Sequence, residues 1–184
     1  MSQVSFDVIV IGSGAAGLRA ALSARTAGLS VCVVSKGSPG KSTCTGFSAG
    51  VMAGSAGAEK SDTHLQNTLT SGRGLNERAL VEILVAEAPS RLDELMRWGI
   101  HADFKNGYLF AKGRPPVLGE EIVRCLLTRN AALGTRFWGN LLVTDLFVCN
   151  GAAGVNAYEK SSGEWVALTA GAVVMAAGGA SALF

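Results

Sequence analysis

Residues 12–17 read Gly-Ser-Gly-Ala-Ala-Gly, between the β-branched run Asp7–Ile11 (DVIVI) and a small-residue segment, Ala15–Ala27, that stops at Gly28. A strand that breaks on spaced glycines and restarts as a helix is the opening of a βαβ unit. DVIVI is a continuous apolar run after Asp7, so it reads as a strand buried on both faces, as in a parallel sheet. Gly28 is placed to close the helix as its C′ residue. Ser30–Val34 (SVCVV) then reads as a second buried strand, and the unit has the length of about 30 residues that such a crossover needs.

Each glycine of the GxGxxG spacing has a physical task. Gly12 allows the tight turn off the strand. Gly14 removes a side chain so that a pyrophosphate can approach the backbone of Ser13, Ala15 and Ala16. Gly17 lets the helix pack closely on the strand. The helix N-terminus adds unpaired N–H groups and a partial charge of about +0.5. The pattern points to dinucleotide binding; a glycine-rich turn that binds nothing is the alternative that spacing alone leaves open. An NAD site usually carries Asp or Glu at the end of the second strand, and this chain has Ser35-Lys36. Lys36 is either a partner for a 2′-phosphate, poorer than Arg would be, or a solvated lysine at a strand end.

Composition narrows the class. The 184 residues are 48% hydrophobic and 16% charged, enough for a core and unlike a disordered chain. The net charge is +2 and no dense Lys/Arg run occurs, which argues against nucleic acid as a partner. Mean hydropathy is +0.32, yet no apolar run approaches the ~20 residues of a membrane span. The start, Met1–Asp7, lacks a basic n-region and Val8–Ile11 is too short for a signal core, so a cytoplasmic address is expected. Cys32, Cys44, Cys125 and Cys149 form no CxxC pair and have no ligand-spaced histidine, so they read as thiols and no metal is indicated.

Further along, Gly37–Gly57 is rich in small residues with Lys41 as its only charged side chain, which suggests a loop packed closely against something. Glu77–Gly99 is an amphipathic helix with Leu80, Ile83, Leu84, Ala88, Leu92, Leu95 and Met96 as its apolar face, and Pro89 should kink or divide it. A second helix is expected around Gly119–Leu133. From Asn140 the period changes: Leu141–Val148, Gly154–Glu159 and Trp165–Leu168 read as strands with turns at Asn150-Gly151 and Ser161–Gly163. Ala172–Ala176 reads as a further buried strand, followed by Gly178-Gly179.

Three segments in order, DVIVIGSGAAGLRAAL, VVSKGSPGKSTCTGFSAGV and AVVMAAGGASALF, resemble the flavoprotein subunit of fumarate reductase and succinate dehydrogenase, whose wider family includes L-aspartate oxidase and the adenylylsulfate reductase flavoprotein. Asp62 and His64, followed by a long helix ending at Leu95–Gly99, match that family's segment after its flavin loop. The resemblance implies an α/β fold: a Rossmann-like FAD-binding domain with a parallel sheet, a three-stranded β-meander and a helical segment, residues 1–184 being the N-terminal part of that domain without the capping domain. It implies FAD rather than NAD, since Ser35-Lys36 is common there.

By the same resemblance, the flavin ring would lie along Ser42–Val51. Ser42, Thr45 and Ser48 would offer hydroxyls, or be ordinary loop residues; Ser48-Ala49-Gly50 is a loose version of the family's glycine pair. Thr43 stands where covalent-flavin members have His, so the FAD is expected to be noncovalent. Cys44 reads as a small buried thiol rather than a reactive one. A main-chain site near Leu142–Val143 would meet the adenine, and Ala176-Ala177-Gly178-Gly179 would approach the dinucleotide. The implied chemistry is hydride transfer between flavin N5 and a small substrate, a dicarboxylate in the family, with electrons passed to an iron–sulfur or other electron-transfer subunit; the resemblance also implies a place for this protein peripheral to a membrane complex. Ala102 stands where a substrate-contacting Phe is expected, with Phe104 two residues on. His64 reads as a capping or surface residue, His101 as a helix-end residue, and Arg114 as a loop cation, so no catalytic residue is assigned. A noncatalytic FAD-binding fragment, half of a split flavoprotein, and an NAD(P)-binding Rossmann protein are the rival readings.

Overall fold

The computed structural model describes residues 4–49, 51–54, 58–105, 107–111, 118–149 and 151–179. In chain order the elements are β1 (Val4–Ile11), α1 (Ala15–Thr26), β2 (Val31–Val34), α2 (Cys44–Phe47), β3 (Val51–Ala53), α3 (Ala58–Ser71), α4 (Arg78–Arg97), β4 (Ala102–Lys105), β5 (Tyr108–Ala111), α5 (Leu118–Ala132), β6 (Arg136–Trp138), β7 (Leu141–Cys149), β8 (Ala152–Glu159) and β9 (Glu164–Met175). They fall into two units: Met1–Phe47 with Leu126–Phe184, and Ser48–Cys125.

The first unit is built on a six-stranded sheet in the order β6-β2-β1-β9-β8-β7. The β6, β2, β1 and β9 strands run parallel, and β9, β8 and β7 run antiparallel. The run that gave β1 explains its place. Alternate side chains leave a strand on opposite faces. Ile9 joins Cys32, Val34, Leu141, Val155 and Leu168 in one core, while Val8 and Val10 join Val31, Val33 and Ala21 of α1 in another. Ile9 and Val10 are fully enclosed, and each such side chain contributes about 1.5–3 kcal/mol by leaving water. The parallel sheet, meander and helices are those of a Rossmann-like α/β domain.

Two expectations about strands change. Trp165–Leu168 and Ala172–Ala176 are not separate: β9 is one strand, antiparallel to β8 over Glu164–Ala170 and parallel to β1 from Leu168 to Met175. Gly171 permits the join, because a Cβ there would press on the Asp7 carbonyl at 3.1 Å. In addition, β6 joins the parallel sheet beside β2, where periodicity over three residues gave no signal.

The second unit pairs α3 with α4 and holds a small antiparallel sheet, β3-β5-β4. Here the sequence misled more. The loop expected across Gly37–Gly57 contains α2 and β3. His64 precedes the long helix α4, as expected, but lies within a helix of its own, α3. Pro89 does not divide α4, which runs unbroken from Arg78 to Arg97. A proline interior to a helix removes one N–H, and the rest of this 20-residue helix holds regardless. The buried face differs in the first half of the helix: Val81 and Val85 are enclosed there, whereas Leu80, Ile83 and Leu84 are about half exposed or more; Leu92 and Leu95 are enclosed, as expected. The helix is apolar over a wide arc, and over its first turns its packing partners choose a stripe one residue round from the one expected.

Candidate functional site

The glycine loop is held from three sides. Gly12 has φ +105, donates its N–H to the Val34 carbonyl at 2.8 Å, and leaves no room for a Cβ, which would overlap the carbonyl oxygen of Ala176. Gly17 is equally committed, since a Cβ there would overlap the Gly12 carbonyl. Gly14 differs. Its φ is −77, and a Cβ would rest at an ordinary 3.6 Å from Thr45 Oγ1. The loop thus needs glycine at 12 and 17 for its own geometry, while the glycine at 14 leaves the mouth of α1 open.

Gly14 is the N-cap of α1 and offers no side-chain cap, and the first turn has no acidic residue. The positive end of the helix is therefore not neutralised by α1 itself. Ala16 is exposed there. Ser13 is buried, and its Oγ accepts the Gly40 N–H at 2.8 Å. The Ala15 N–H donates to Thr45 Oγ1 at 3.1 Å. Sequence reasoning passed over Gly40; the Pro39-Gly40 pair was its available signal, and Gly40 has φ +77.

Ser35 closes the end of β2. It is buried, its Oγ donates to the Gly37 carbonyl at 2.7 Å, its N–H donates to Trp138, and its carbonyl accepts from Leu141 at 2.9 Å. The last contact places the start of β7, and so Leu142 and Val143, next to the end of β2. Leu142 is exposed and Val143 packs partly against the core. Lys36 is exposed.

Ser42 adopts φ +53, and Thr43 Oγ1 accepts the Gly46 N–H at 3.0 Å, capping the four-residue α2. Cys44 is exposed, not buried as expected: α2 turns it outward. Cys32 is a buried thiol, and burial pushes its pKa up to about 11. Ser48 and Ala49 belong to the second unit; the Ser48 carbonyl accepts the Gly119 N–H at 3.1 Å. Gly50 lies outside the described residues, as do Arg114 and the side chain of Phe104. After β9, Ala176 donates to the Ile11 carbonyl at 2.8 Å, and Ala177, Gly178 (φ +88) and Gly179 follow, exposed.

His64 is buried, with its Nδ1 unpartnered among the described residues, and is neither capping nor at the surface. It lines a cavity of about 740 Å³ within the second unit, together with Asn76 and Tyr108. Among the described residues no group of His, Cys, Asp and Glu could hold a metal, and no helix is long and apolar enough to cross a membrane.

The residues present fit a dinucleotide. Two glycines are fixed by the fold, the third keeps an unneutralised helix N-terminus clear, and the strand ends β1, β2 and β9 meet around it. Comparison with known proteins agrees. The model of the FAD binding domain family matches residues 7–184. L-aspartate oxidase of Streptomyces coelicolor is 34% identical over 199 residues, covering 98% of this chain and 34% of that protein. One polypeptide of the CoM/CoB fumarate reductase of Methanothermobacter marburgensis is 31% identical, covering 97% and 36%. Among solved structures, E. coli quinol fumarate reductase superposes with a TM-score of 0.85 at 26% identity over 98% of this chain and 34% of that one, and Mycobacterium smegmatis Sdh1 with 0.83 at 30% identity over 97% and 35%. The chain spans about a third of the length of these relatives. By its glycine cradle, its sheet and these matches, the chain belongs to the FAD binding domain family of flavin-dependent oxidoreductases.

Proposed function

We propose that this chain is the N-terminal, FAD-holding part of a fumarate reductase/succinate dehydrogenase-type flavoprotein, the whole of which oxidises or reduces a small dicarboxylate-like substrate. The observation that carries the reading is the open mouth of α1 at Gly14, set between the end of β2 and the segment after β9. When bound, FAD supplies hydride exchange with a C–C or C–N bond of the substrate.

This chain's residues bind and orient. The N-terminal N–H groups of α1, reached past Gly14, hold the pyrophosphate with Ser13, Ala15, Ala16 and Gly17 around it. Ser35 shapes the strand end that faces the ribose, and exposed Lys36 stays at its edge. Main-chain groups near Leu142 and Val143 serve the adenine, and Ala176–Gly179 brings backbone up to the dinucleotide. The Ser42–Val51 stretch runs along the flavin ring. Thr43, which uses its hydroxyl to cap α2, has no imidazole to offer, so attachment is noncovalent. The acid–base groups and the cap over the substrate lie, on this reading, in the part of the relatives' length that this chain does not span, and an iron–sulfur or similar electron-transfer subunit takes the electrons.

The test is flavin content. The wild-type protein should show the two flavin absorbance bands and release FAD, not FMN, into the acid supernatant. Gly14→Leu should retain its circular dichroism and lose the flavin. Equal flavin in both proteins would sink the assignment, and yellow colour in the acid pellet would sink noncovalent attachment. FAD bound but never reduced by any dicarboxylate or amino-dicarboxylate would leave a flavin-holding module without turnover.

A further inference from the structure

Asn130 lies near the C-terminal end of α5 with none of its surface exposed. Its Nδ2 donates to the carbonyl of Leu18 on α1 at 2.9 Å and to that of Leu126 at 2.9 Å. Its Oδ1 accepts from Thr135 Oγ1 at 3.0 Å. The Thr135 N–H in turn donates to the Asn130 carbonyl at 3.0 Å. Both amide hydrogens are used, so the partners themselves fix which end of the amide is nitrogen.

A buried primary amide is costly unless its hydrogen bonds are satisfied, a cost that an aliphatic side chain does not carry. The amide therefore does something an aliphatic side chain would not, and its partner shows what. Leu18 is in the first turns of α1, and its own N–H donates to the Gly14 carbonyl at 2.9 Å. Asn130 thus grips α1 one turn behind the glycine mouth. Seven residues on, Arg25 Nε donates to the Leu133 carbonyl at 2.8 Å. Residues seven apart share a helix face, so α1 is tethered twice to the C-terminal end of α5, once in the interior and once near the surface. Apolar packing resists separation of two helices but tolerates small slides along the axis; a directional hydrogen bond in a dry interior does not.

We propose that Asn130 is a positioning residue for the cofactor: it fixes α1 along its axis, and so sets where the N-terminus of that helix meets the pyrophosphate. The inference rests on the FAD reading above.

The test uses the whole protein in three variants. Asn130→Leu keeps the number and branching of the side-chain heavy atoms and removes both donors. Thr135→Val leaves the amide without the partner that orients it. Val155→Ala, in the core on the sheet face away from α1, reports general loss of stability. Two readouts are taken: hydrogen exchange of the α1 amides without flavin, and the Kd for added FAD. Asn130→Leu should weaken FAD binding about tenfold, one lost hydrogen bond's worth of placement, and speed exchange over Gly14–Leu22. Thr135→Val should fall between it and wild type. Val155→Ala should lower the melting temperature and leave both readouts alone. Unchanged α1 exchange in Asn130→Leu overturns the inference whatever the flavin does, as does an FAD Kd no weaker than that of Val155→Ala. If wild type takes up no FAD while Asn130→Leu still loosens α1, the clamp stands and the cofactor reading falls. If Asn130→Leu does not fold, the same two readouts on Thr135→Val decide.

Discussion

The hydroxyl of Thr45 accepts the N–H of Ala15, thirty residues earlier, at 3.1 Å. Gly14 cannot cap the helix it begins, so a loop from beyond the second strand does it. The cap joins the glycine loop to α2 by a bond that neither segment could make alone.

Replacing that hydroxyl should cost what an N-cap costs. Thr45→Val should lower stability by about 1 kcal/mol, a fall in melting temperature of roughly 2–4 °C for a chain of this size. Thr45→Ser should recover most of it. Differential scanning calorimetry of the three proteins would check this, and no difference between Val and Thr would show the bond to be idle.

Gly12 and Gly14 should respond in opposite ways to the same small change. Gly12→Ala combines a left-handed φ with overlap on the Ala176 carbonyl, and should destabilise the protein by about 3 kcal/mol or more. Gly14→Ala has room for its methyl and should leave the unfolding free energy within about 0.5 kcal/mol of wild type. Urea titrations of the pair give the comparison directly.

The thiols should separate cleanly. Cys44 is exposed and Cys32 is buried with its pKa raised to about 11 by burial. The thiolate is the reactive form, so a maleimide at neutral pH should label Cys44 within minutes and leave Cys32 untouched until the protein unfolds. Peptide mapping reads this. If the Ser42–Val51 stretch runs along a flavin, added FAD should slow the labelling of Cys44.

Glu159 gives a pH signature. It accepts from Trp138 Nε1 at 3.0 Å and from Ser162 Oγ at 2.8 Å, and these donors, Trp138 first, hold its carboxyl below the ordinary 4.5. A lowered carboxyl stabilises the fold above its unfolded pKa, and that contribution fades as pH falls through the folded value. The stability gap between wild type and Glu159→Gln should therefore be constant above about pH 5 and close progressively below 4.5. A gap that widens on acidification would mean the assignment of the donors is wrong.

What the sequence made legible follows physical range. The β1–α1–β2 unit could be read because strand pattern, glycine spacing and the C′ glycine all act within about 30 residues of one another. The three meander strands were legible for the same reason, through their tight turns. The face of α4 was legible only in its second half, at Leu92 and Leu95; in the first half Leu80, Ile83 and Leu84 make as good a local stripe as Val81 and Val85, and only packing from elsewhere decides. The β4–β5 hairpin had a signal, Asn106-Gly107, with Gly107 at φ +81 between the two strands, and it was overlooked. The exposure of Cys44 had no local signal, because it depends on Thr43 capping a helix of only four residues. Asn130 had none either: a polar residue on an amphipathic helix reads as solvent-facing until its partner, 112 residues away, is known.

The shared strand β9 sets an order of assembly. Val4 pairs with Leu168 and Ile11 with Met175, across most of the described chain, whereas β7, β8 and β9 meet through short turns. Distant pairings close slowly because the intervening chain must first be confined. During synthesis β1 emerges long before its central partner. Until then a run of apolar residues has one bare edge, the kind of edge that other chains can join. Pulse-labelled hydrogen exchange should find the β7–β8 amides protected before those linking β1 to β9. The strand that completes the cradle is also the one whose lateness leaves the nascent protein most open to aggregation.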